Sequence, residues 1–231
     1  MSVVVVGSAA SNFPQTGEGR TRIRLVTDIA IASGGENDSD RQARALVALN
    51  RSLRTYNEVF WKCNRVSTDI TFSASDFDYA LPADFAAPIR VALLNTDGKL
   101  AGTGSLIYVD YPDWLDGDGD RTQTGDPPSY YTINNEHETG LIEFSPVPTA
   151  NVATSNYPTA RLFYYRRIVL PTSDDAKVNI PVELEGGVEG LAIAYYMGYI
   201  EGLPASVQPV AMELRHKEEL EQRFRVYPEN W

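Results

Sequence analysis

The sequence predicts an α+β fold in which helices from the N- and C-terminal ends form a helical bundle, with an antiparallel β-rich domain inserted between them. Apolar residues recur at helical spacing near both ends, and short alternating segments bounded by Gly, Pro and Asp fill the middle. The inserted domain is expected to be a sandwich or a small barrel. The predicted parts are a flexible arm over 1–21, helices over 22–64, the β-rich domain over 65–170, and closing helices with a tail over 171–231.

The strongest helical signal in the first half is a row of apolar side chains at spacings of three and four residues, which places them on one helix face. They are Leu46, Leu49, Leu53, Tyr56 and Phe60. Asp38 or Ser39 can cap the start of this helix, and Gly34-Gly35 can end the apolar segment before it. The arginines on its other faces are expected to be solvated or to pair with the chain's own carboxylates: Arg41, Arg44, Arg51 and Arg54.

The middle of the chain has the pattern of short strands. IRVALLN and GSLIYVDY flank an Asp97-Gly98 pair, which is a hairpin signal because Gly tolerates positive φ. VSTDITFS, SYYTIN, LIEFSP and ARLFYYRRIVL continue the pattern, with prolines between them. Short strands separated by such turns predict an antiparallel sheet structure.

Two further helices are predicted after residue 170. The first carries apolar residues at helical spacing and ends at Pro204: Val188, Leu191, Ala192, Tyr195 and Tyr199. The second has three pairs of opposite charge at a spacing of four, namely Lys217 with Glu221, Glu219 with Arg223, and Glu221 with Arg225. Such pairs stabilise an exposed helix face.

The composition excludes several classes of function. The net charge is −11, and tight DNA binding or binding to an anionic membrane requires clustered Lys and Arg instead. One cysteine in 231 residues excludes a disulfide framework within the chain. Four consecutive valines at 3–6 are too few for a signal sequence, and no segment is apolar enough to span a membrane. We expect a soluble protein that is made in a cytoplasm.

The segment DWLDGDGDRTQTGDPP resembles a calcium loop in its first half only. Counted from Asp116, Asp118 and Asp120 fit the third and fifth ligand positions. Arg121 then replaces the required glycine, and Pro127 stands where a bidentate Glu is needed. Asp-Gly pairs are also typical of a solvated turn, so we interpret 113–125 as a loop inserted ahead of a strand. A weak cation site there stays open.

Catalytic motifs are missing from the sequence. His137 and His216 lie in different parts of the chain without zinc-ligand spacing, and no nucleophile elbow is present. GTGSL at 102–106 lacks the Lys of a phosphate loop, and Cys63 is interpreted as a buried structural thiol. We therefore expect no enzyme, no cofactor and no metal site. A carboxylate-pair enzyme is the remaining catalytic alternative.

Several short motifs follow one another over residues 22–225: Leu49-Asn50-Arg51-Ser52-Leu53, YALPADF at 79–85, GDPPSY at 125–130, LIEFSPVP at 141–148, Phe163-Tyr164-Tyr165 and Leu170-Pro171. Taken in order, they resemble the head-to-tail adaptors of tailed bacteriophages, also called head completion or neck connector proteins. That family opens with a short helix, a Gly-Glu break and a longer helix with a Leu-Asn-x-x-Leu signature. The arm at 1–21 and the aspartate-rich loop are longer than the family pattern.

The resemblance implies a structural virion protein in the neck, made in the host bacterium's cytoplasm. Such adaptors form a homo-oligomeric ring, usually twelvefold, below the portal protein of a filled capsid. They close the head and offer a docking surface to the next neck, tail or nozzle protein. Duplex DNA passes through the channel without specific binding. The resemblance does not fix the phage type or the copy number.

The resemblance also suggests where the portal is contacted. In similar adaptors the C-terminal segment embraces the portal. The corresponding residues here combine aromatic and arginine side chains, a composition favoured at interfaces. They are Arg223, Phe224, Arg225, Tyr227 and Trp231.

A second class of function stays open from the sequence alone. The many tyrosines and the DGDGD run at 116–120 would suit a β-sandwich module that binds carbohydrate or a host surface with the help of a cation. That alternative leaves the flanking helices without a role.

Overall fold

A computed structural model of the chain describes residues 20–32, 39–73, 76–117, 124–125, 127–134, 140–148, 156–200 and 207–225. The α+β class is confirmed. The chain divides into two compact units. The β-rich unit comprises the described residues of Arg65–Arg166, and the helical unit comprises those of Pro14–Asn64 and Arg167–Tyr227. The predicted break at Gly34-Gly35, the Asp38 cap and the Pro204 stop lie outside the described residues.

The helical unit contains four α-helices. Contacts between helices from the two ends of the chain join them into one unit. Their bounds are α1 Arg22–Ala32, α2 Ser39–Tyr56, α4 Val182–Tyr195 and α5 Val207–Phe224, with α3 lying in the other unit. A short 3₁₀ turn at Lys62–Asn64 follows α2, and a π-helical segment at Tyr196–Ile200 follows α4. Helix α4 contacts α1, α2 and α5, so it is the central helix of this unit.

The buried face of α2 differs from the predicted row. Leu49, Leu53 and Tyr56 are buried as expected, but Leu46 is only partly buried. Phe60 lies beyond the helix, because α2 ends at Tyr56. The end is fixed by Trp61, whose indole Nε1 donates a 2.7 Å hydrogen bond to the Tyr56 carbonyl. The other residues of the buried face are small: Ala45, Ala48 and Ser52.

Helices α2 and α4 approach closely through those small residues. The buried Ser52 hydroxyl donates a 2.7 Å hydrogen bond to the Val188 carbonyl of α4. At Gly187 an added Cβ would lie 2.2 Å from the Tyr56 hydroxyl oxygen and 3.3 Å from Leu220 Cδ1. Gly187 is therefore required by the contact among α2, α4 and α5, not by its own backbone conformation.

The β-rich unit contains eight strands in two four-stranded sheets and the short helix α3, Tyr111–Gly117. The sheet orders are β1-β8-β3-β4 and β2-β7-β6-β5. The bounds are β1 Arg65–Thr71, β2 Asp78–Ala80, β3 Phe85–Leu94, β4 Leu100–Ser105, β5 Ile107–Tyr108, β6 Tyr130–Asn134, β7 Leu141–Ser145 and β8 Thr159–Arg166. Apolar side chains of both sheets form one buried cluster, including Val91, Leu162, Ile142 and Phe144.

The predicted hairpin at Asp97-Gly98 is confirmed between β3 and β4. Gly98 has φ of 73°, and its N–H donates to the Asn95 carbonyl at 2.9 Å. Asn95 also accepts the Lys99 N–H through its side chain, which closes the turn.

The expectation of purely antiparallel pairing is wrong at one place. Strand β5 pairs with β6 in parallel, with Ile107 opposite Tyr130. GSLIYVDY is thus not one strand, because the chain leaves the first sheet after Ser105 and enters the second at Ile107. Because β5 and β6 run in the same direction, residues 109–129 must return the chain to the start of the sheet between them. A long crossover of this kind is what a parallel pair requires.

Candidate functional site

The structure describes three of the five residues that were predicted to contact the portal. Arg223 is exposed near the end of α5, whereas Phe224 is partly buried against the helical core. Arg225 follows the helix and is exposed. Tyr227 and Trp231 lie outside the described residues. Phe224 thus contributes to the core of the helical unit. Arg223 is the more accessible of the two for contact with a partner.

Two ion pairs between residues four apart stabilise the end of α5. Glu221 accepts from Lys217 Nζ at 3.1 Å through one carboxylate oxygen and from Arg225 Nη1 at 3.0 Å through the other. Two of the three predicted pairs are therefore present. Lys217 is itself buried, at 8% exposure, so this pair is better shielded from water than a surface pair. Glu219 and Arg223 are both exposed.

The backbone after α5 is also fixed. Arg225 forms a β-bridge with Trp61, and its N–H donates to the Glu221 carbonyl at 2.9 Å. The Trp61 ring stacks on Tyr56 at a centroid distance of 5.6 Å. The residues that follow Arg225 thus leave from an anchored position next to the turn that ends α2.

A second cluster, the arginine clamp, joins Arg20 to carboxylates of two helices. Arg20 Nη1 lies 3.0 Å from Asp28 Oδ2 of α1, Nε lies 2.6 Å from Glu185 Oε1 of α4, and Nη2 lies 2.5 Å from Glu189 Oε2. The hydrogen bond with Glu189 raises the pKa of Arg20 above its usual value, so the side chain is always charged. Arg20 and Thr21 belong to the helical unit, although the sequence assigned them to the arm. Glu185 and Glu189 are recognisable from their spacing of four, but their partner is not.

The clamp predicts a specific loss of stability. We expect Arg20→Gln to lower the free energy of unfolding of the helical unit by about 2 kcal/mol, since it leaves three carboxylates facing one another without a cation. The loss should shrink at high salt because the remaining repulsion is screened. Urea unfolding followed by circular dichroism measures both effects.

Arg24→Gln is the matched control for that prediction. Arg24 lies on α1 together with Asp28, its side chain is 72% exposed, and its Nε is 4.0 Å from Asp28 Oδ2. A weak, exposed pair of this kind contributes little. Equal losses for the two variants would contradict the assignment of the clamp.

The β-rich unit carries a buried carboxylate that fixes α3. Glu143 Oε2 accepts from Trp114 Nε1 of α3 at 3.2 Å, and Glu143 Oε1 accepts from Asn134 Nδ2 at 3.2 Å. Asn134 Nδ2 also donates to the Tyr111 hydroxyl at 2.9 Å. These contacts attach α3 to strands β6 and β7.

The aspartate-rich segment starts as a helix, so the interpretation of all of 113–125 as a loop is wrong. Asp113 and Asp116 lie on α3, and Trp114 is the buried residue that holds it to the sheet. Residues 118–123 lie outside the described ranges. Among the described residues, no three His, Cys, Asp or Glu side chains are grouped to hold a metal ion. Cys63 is partly buried against the helical core.

The YALPADF segment at 79–85 makes hydrogen bonds that hold the fold together. The Tyr79 hydroxyl accepts from the Ser73 N–H at 3.0 Å and donates to the Asp76 carbonyl at 3.1 Å. Burial raises the pKa of Tyr79 to about 12, so it stays protonated. Asp84 accepts a 2.9 Å hydrogen bond from the Tyr164 hydroxyl. The motif thus sets the fold between β2 and β3.

In the part of the chain that the structure describes, no helix combines the length and apolar character needed to cross a bilayer.

Comparisons with known proteins point to one family. The family model described as SU10 adaptor protein matches residues 21–228. The chain is similar to two solved structures at 14% identity. One, the neck of an empty GTA particle computed with C6 symmetry, has a TM-score of 0.31 over 84% of each chain. The other, the neck of a native GTA particle computed with C12 symmetry, has a TM-score of 0.28 over 84% of this chain and 83% of that one. No curated protein matches the chain.

Proposed function

The chain belongs to the SU10 adaptor family, and from this membership we propose that it forms a ring below the portal, closes the DNA-filled head and provides the attachment surface for the tail or nozzle. The observation that carries the proposal is the extent of the family match. It runs from residue 21 to residue 228 and so takes in both the helical and the β-rich unit. The family description names a structural role, and the proposed role needs no catalysis.

We propose that the two units contact different partners. The helices before and after the β-rich unit act as one bundle that bears the portal contact, and the β-rich unit is the inserted domain that faces the next neck or tail component. The contacts of α4 with α1 and α2 support the first part, since they join helices from the two ends of the chain. The expected partners are the portal protein, the downstream neck, tail or nozzle protein, and further copies of this chain.

The portal contact is assigned to the segment that follows α5. Support comes from its anchored start, where Arg225 is bridged to Trp61 and paired with Glu221. A fixed start reduces the entropy lost when the following residues become ordered on a partner. Arg223 on the last turn of α5, and Tyr227 and Trp231 beyond it, are proposed as the contacting side chains, with Phe224 and Arg225 holding the base.

The acidity of the chain suits a channel through which DNA passes. A twelvefold ring would carry 12 × −11 = −132 formal charges. If part of this charge lines the channel, repulsion keeps duplex DNA from adhering to the wall. This part of the proposal predicts that DNA leaves the particle more slowly when channel-facing carboxylates are replaced by amides.

The proposed function can be tested by assembling particles in cells that lack this chain. We expect DNA-filled heads that lose their DNA and carry no tails, and we expect the intact chain, supplied separately, to restore infectious particles. Electron microscopy and plaque counts measure the two outcomes. Normal numbers of tailed, infectious particles without the chain would overturn the proposal.

A further inference from the structure

We propose that the four valines at 3–6 of one copy add as an extra strand beside β1 in a neighbouring copy, on the edge that pairs with no described strand, so that this segment ties adjacent subunits of the ring together. The inference deepens the proposed function and rests on it, because a neighbouring copy is present only in the ring. Its support comes from the geometry of β1, from the chemistry of the first residues and from the clamp at Arg20.

Strand β1 is a long and regular edge. Among the strands that the structure describes, it pairs with β8 on one side only, over all seven residues from Arg65 to Thr71 and without a register shift. Such an edge presents a row of backbone N–H and C=O groups to an incoming strand. Its side chains alternate between buried and more exposed, so an added strand would meet one apolar and one polar face.

The charges that would normally protect this edge are turned toward the sheet. Asp69 accepts two hydrogen bonds from Arg161 of β8, at 2.6 Å and 2.8 Å. The Arg65 guanidinium lies over the Tyr165 ring, 5.5 Å from its centroid. Charged side chains at an edge usually oppose pairing with another chain. Here both side chains contact residues of β8, so these two charges do not oppose an incoming strand.

The other edges of the two sheets suit an incoming strand less well. Strands β2 and β5, at the edges of the second sheet, have three and two residues. Strand β4, at the other edge of the first sheet, pairs with β3 through a register shift between Ala92 and Leu94. Short and irregular edges are poor templates for strand addition. The described strands therefore favour β1.

The first residues of the sequence have the chemistry of an added strand. Val is among the residues most enriched in strands, and four in succession give apolar side chains on both faces. Residues 2–17 carry no charge, whereas the whole chain carries −11. An uncharged segment can join two strongly acidic copies without adding to their mutual repulsion. Strand addition then gains main-chain hydrogen bonds at the edge.

A long segment separates the valines from a fixed point of the helical unit. The arginine clamp holds Arg20, the Arg20 carbonyl accepts from the Val178 N–H at 3.1 Å, and Thr21 is bridged to Lys177. Thirteen residues, 7–19, separate the valines from Arg20. When extended, they span roughly 40 Å.

Thiol cross-linking between two differently sized versions of the chain tests the pairing. One version carries Val4→Cys or Val5→Cys, the other carries Ser67→Cys on β1, and both carry Cys63→Ser. Because adjacent strand residues point to opposite faces, one of the two arm positions must share the face of Ser67. The versions are mixed, assembled on the portal ring of the same genome and treated with a short bis-maleimide. Asp97→Cys, at the exposed turn between β3 and β4, replaces Ser67→Cys in the control.

We expect a product that joins the two chain sizes with one arm position, at least about fivefold above the Asp97→Cys control. No such product, while a subunit layer is present on the portal, would overturn the strand exchange and leave the proposed function standing. A version that carries the arm cysteine and Ser67→Cys together tests pairing within one chain. If the cross-link forms only within that single chain, the strand exchange is overturned as well. Absence of the layer with the unsubstituted chain would overturn the proposed function and this inference together.

Deletion of residues 2–6 gives a second, independent readout. We expect occupancy of the portal ring to fall at least about tenfold, with the unfolding midpoint of the monomer unchanged. Deletion of residues 8–12 removes the same number of residues from the arm and keeps the valines, so it is the matched control. Equal occupancy for the two deletions would contradict the inference.

Discussion

Removal of residues 226–231 is expected to abolish binding to the portal ring while the monomer stays folded. The cut falls after the Arg225 bridge to Trp61 and after the last turn of α5, so the described packing of the helical unit is retained. It removes two aromatic side chains, Tyr227 and Trp231. Aromatic anchors at the centre of an interface typically contribute about 2 kcal/mol or more each. We therefore expect affinity for the portal to fall by about a thousandfold.

Binding of the truncated chain to the purified portal ring can be measured by co-sedimentation, and its fold by circular dichroism and urea unfolding. Met212→Ser is the matched control on α5, because Met212 is 68% exposed and should leave both quantities unchanged. Phe224→Ala tests the base of the segment apart from the portal contact. It should lower the free energy of unfolding of the helical unit, because it removes a partly buried ring. Portal binding by the truncated chain at the affinity of the intact chain would refute the assignment of this segment.

Gly187→Ala is expected to destabilise the helical unit by about 3 kcal/mol. The new Cβ would lie 2.2 Å from the Tyr56 hydroxyl oxygen, 3.2 Å from Tyr56 Cζ and 3.3 Å from Leu220 Cδ1. Tyr56 is fully buried and stacks on Trp61, so its ring has no room to move. Overpacking of a rigid core typically costs about 1–3 kcal/mol, and here three helices must shift at once. Urea unfolding monitored at 222 nm measures the loss.

The neighbouring residue supplies the control for that prediction. Gly186 lies on the same helix, and a Cβ added there meets nothing within 4 Å. Gly186→Ala should therefore stabilise the unit by roughly 0.5–1 kcal/mol, because Ala loses less backbone entropy in a helix. The same sign for both substitutions would contradict the packing described for Gly187.

A second substitution tests the cause of the Gly187 effect. Within the described part of the chain, the Tyr56 hydroxyl has no hydrogen-bond partner, and burial raises the pKa of Tyr56. Tyr56→Phe should therefore be close to neutral alone, because it removes an unsatisfied polar atom. In the Gly187→Ala background it should restore about half of the lost stability, since the shortest contact disappears. Additive effects of the two changes would show that the clash lies elsewhere.

The α2 helix shows how far the sequence determines the fold. Spacing placed Leu49, Leu53 and Tyr56 on the core face, and the structure confirms them. The same pattern also placed Leu46 and Phe60 on the core face, which the structure does not confirm. The reason is that the pattern considers only large apolar side chains. The buried face uses Ala45, Ala48 and Ser52 instead, and Ser52 bonds the Val188 carbonyl of α4. Small residues matter only when the partner is known, and here the partner lies more than a hundred residues away in the sequence.

Contacts between distant residues account for the other differences. Helix α3 is attached by Trp114, which donates to Glu143, and β5 pairs in parallel with β6 across more than twenty residues of sequence. No local pattern reveals either contact. The arginine clamp likewise joins Arg20 to residues of α4. Turn chemistry, by contrast, is local, and the Asp97-Gly98 hairpin was predicted correctly. For the portal segment, the aromatic and arginine composition is visible in the sequence, whereas the anchored base at Arg225 depends on its bridge to the distant Trp61.

The most direct test of the adaptor role is to mix the purified chain with the portal ring of the same genome, well above micromolar concentration, and to image the mixture by negative-stain electron microscopy. We predict a new layer of density on one face of the portal, with a rotational symmetry that gives the copy number. Bare portal rings beside free monomers would contradict the adaptor role. That result would favour a cation-dependent binding module, whose melting temperature should then rise with calcium.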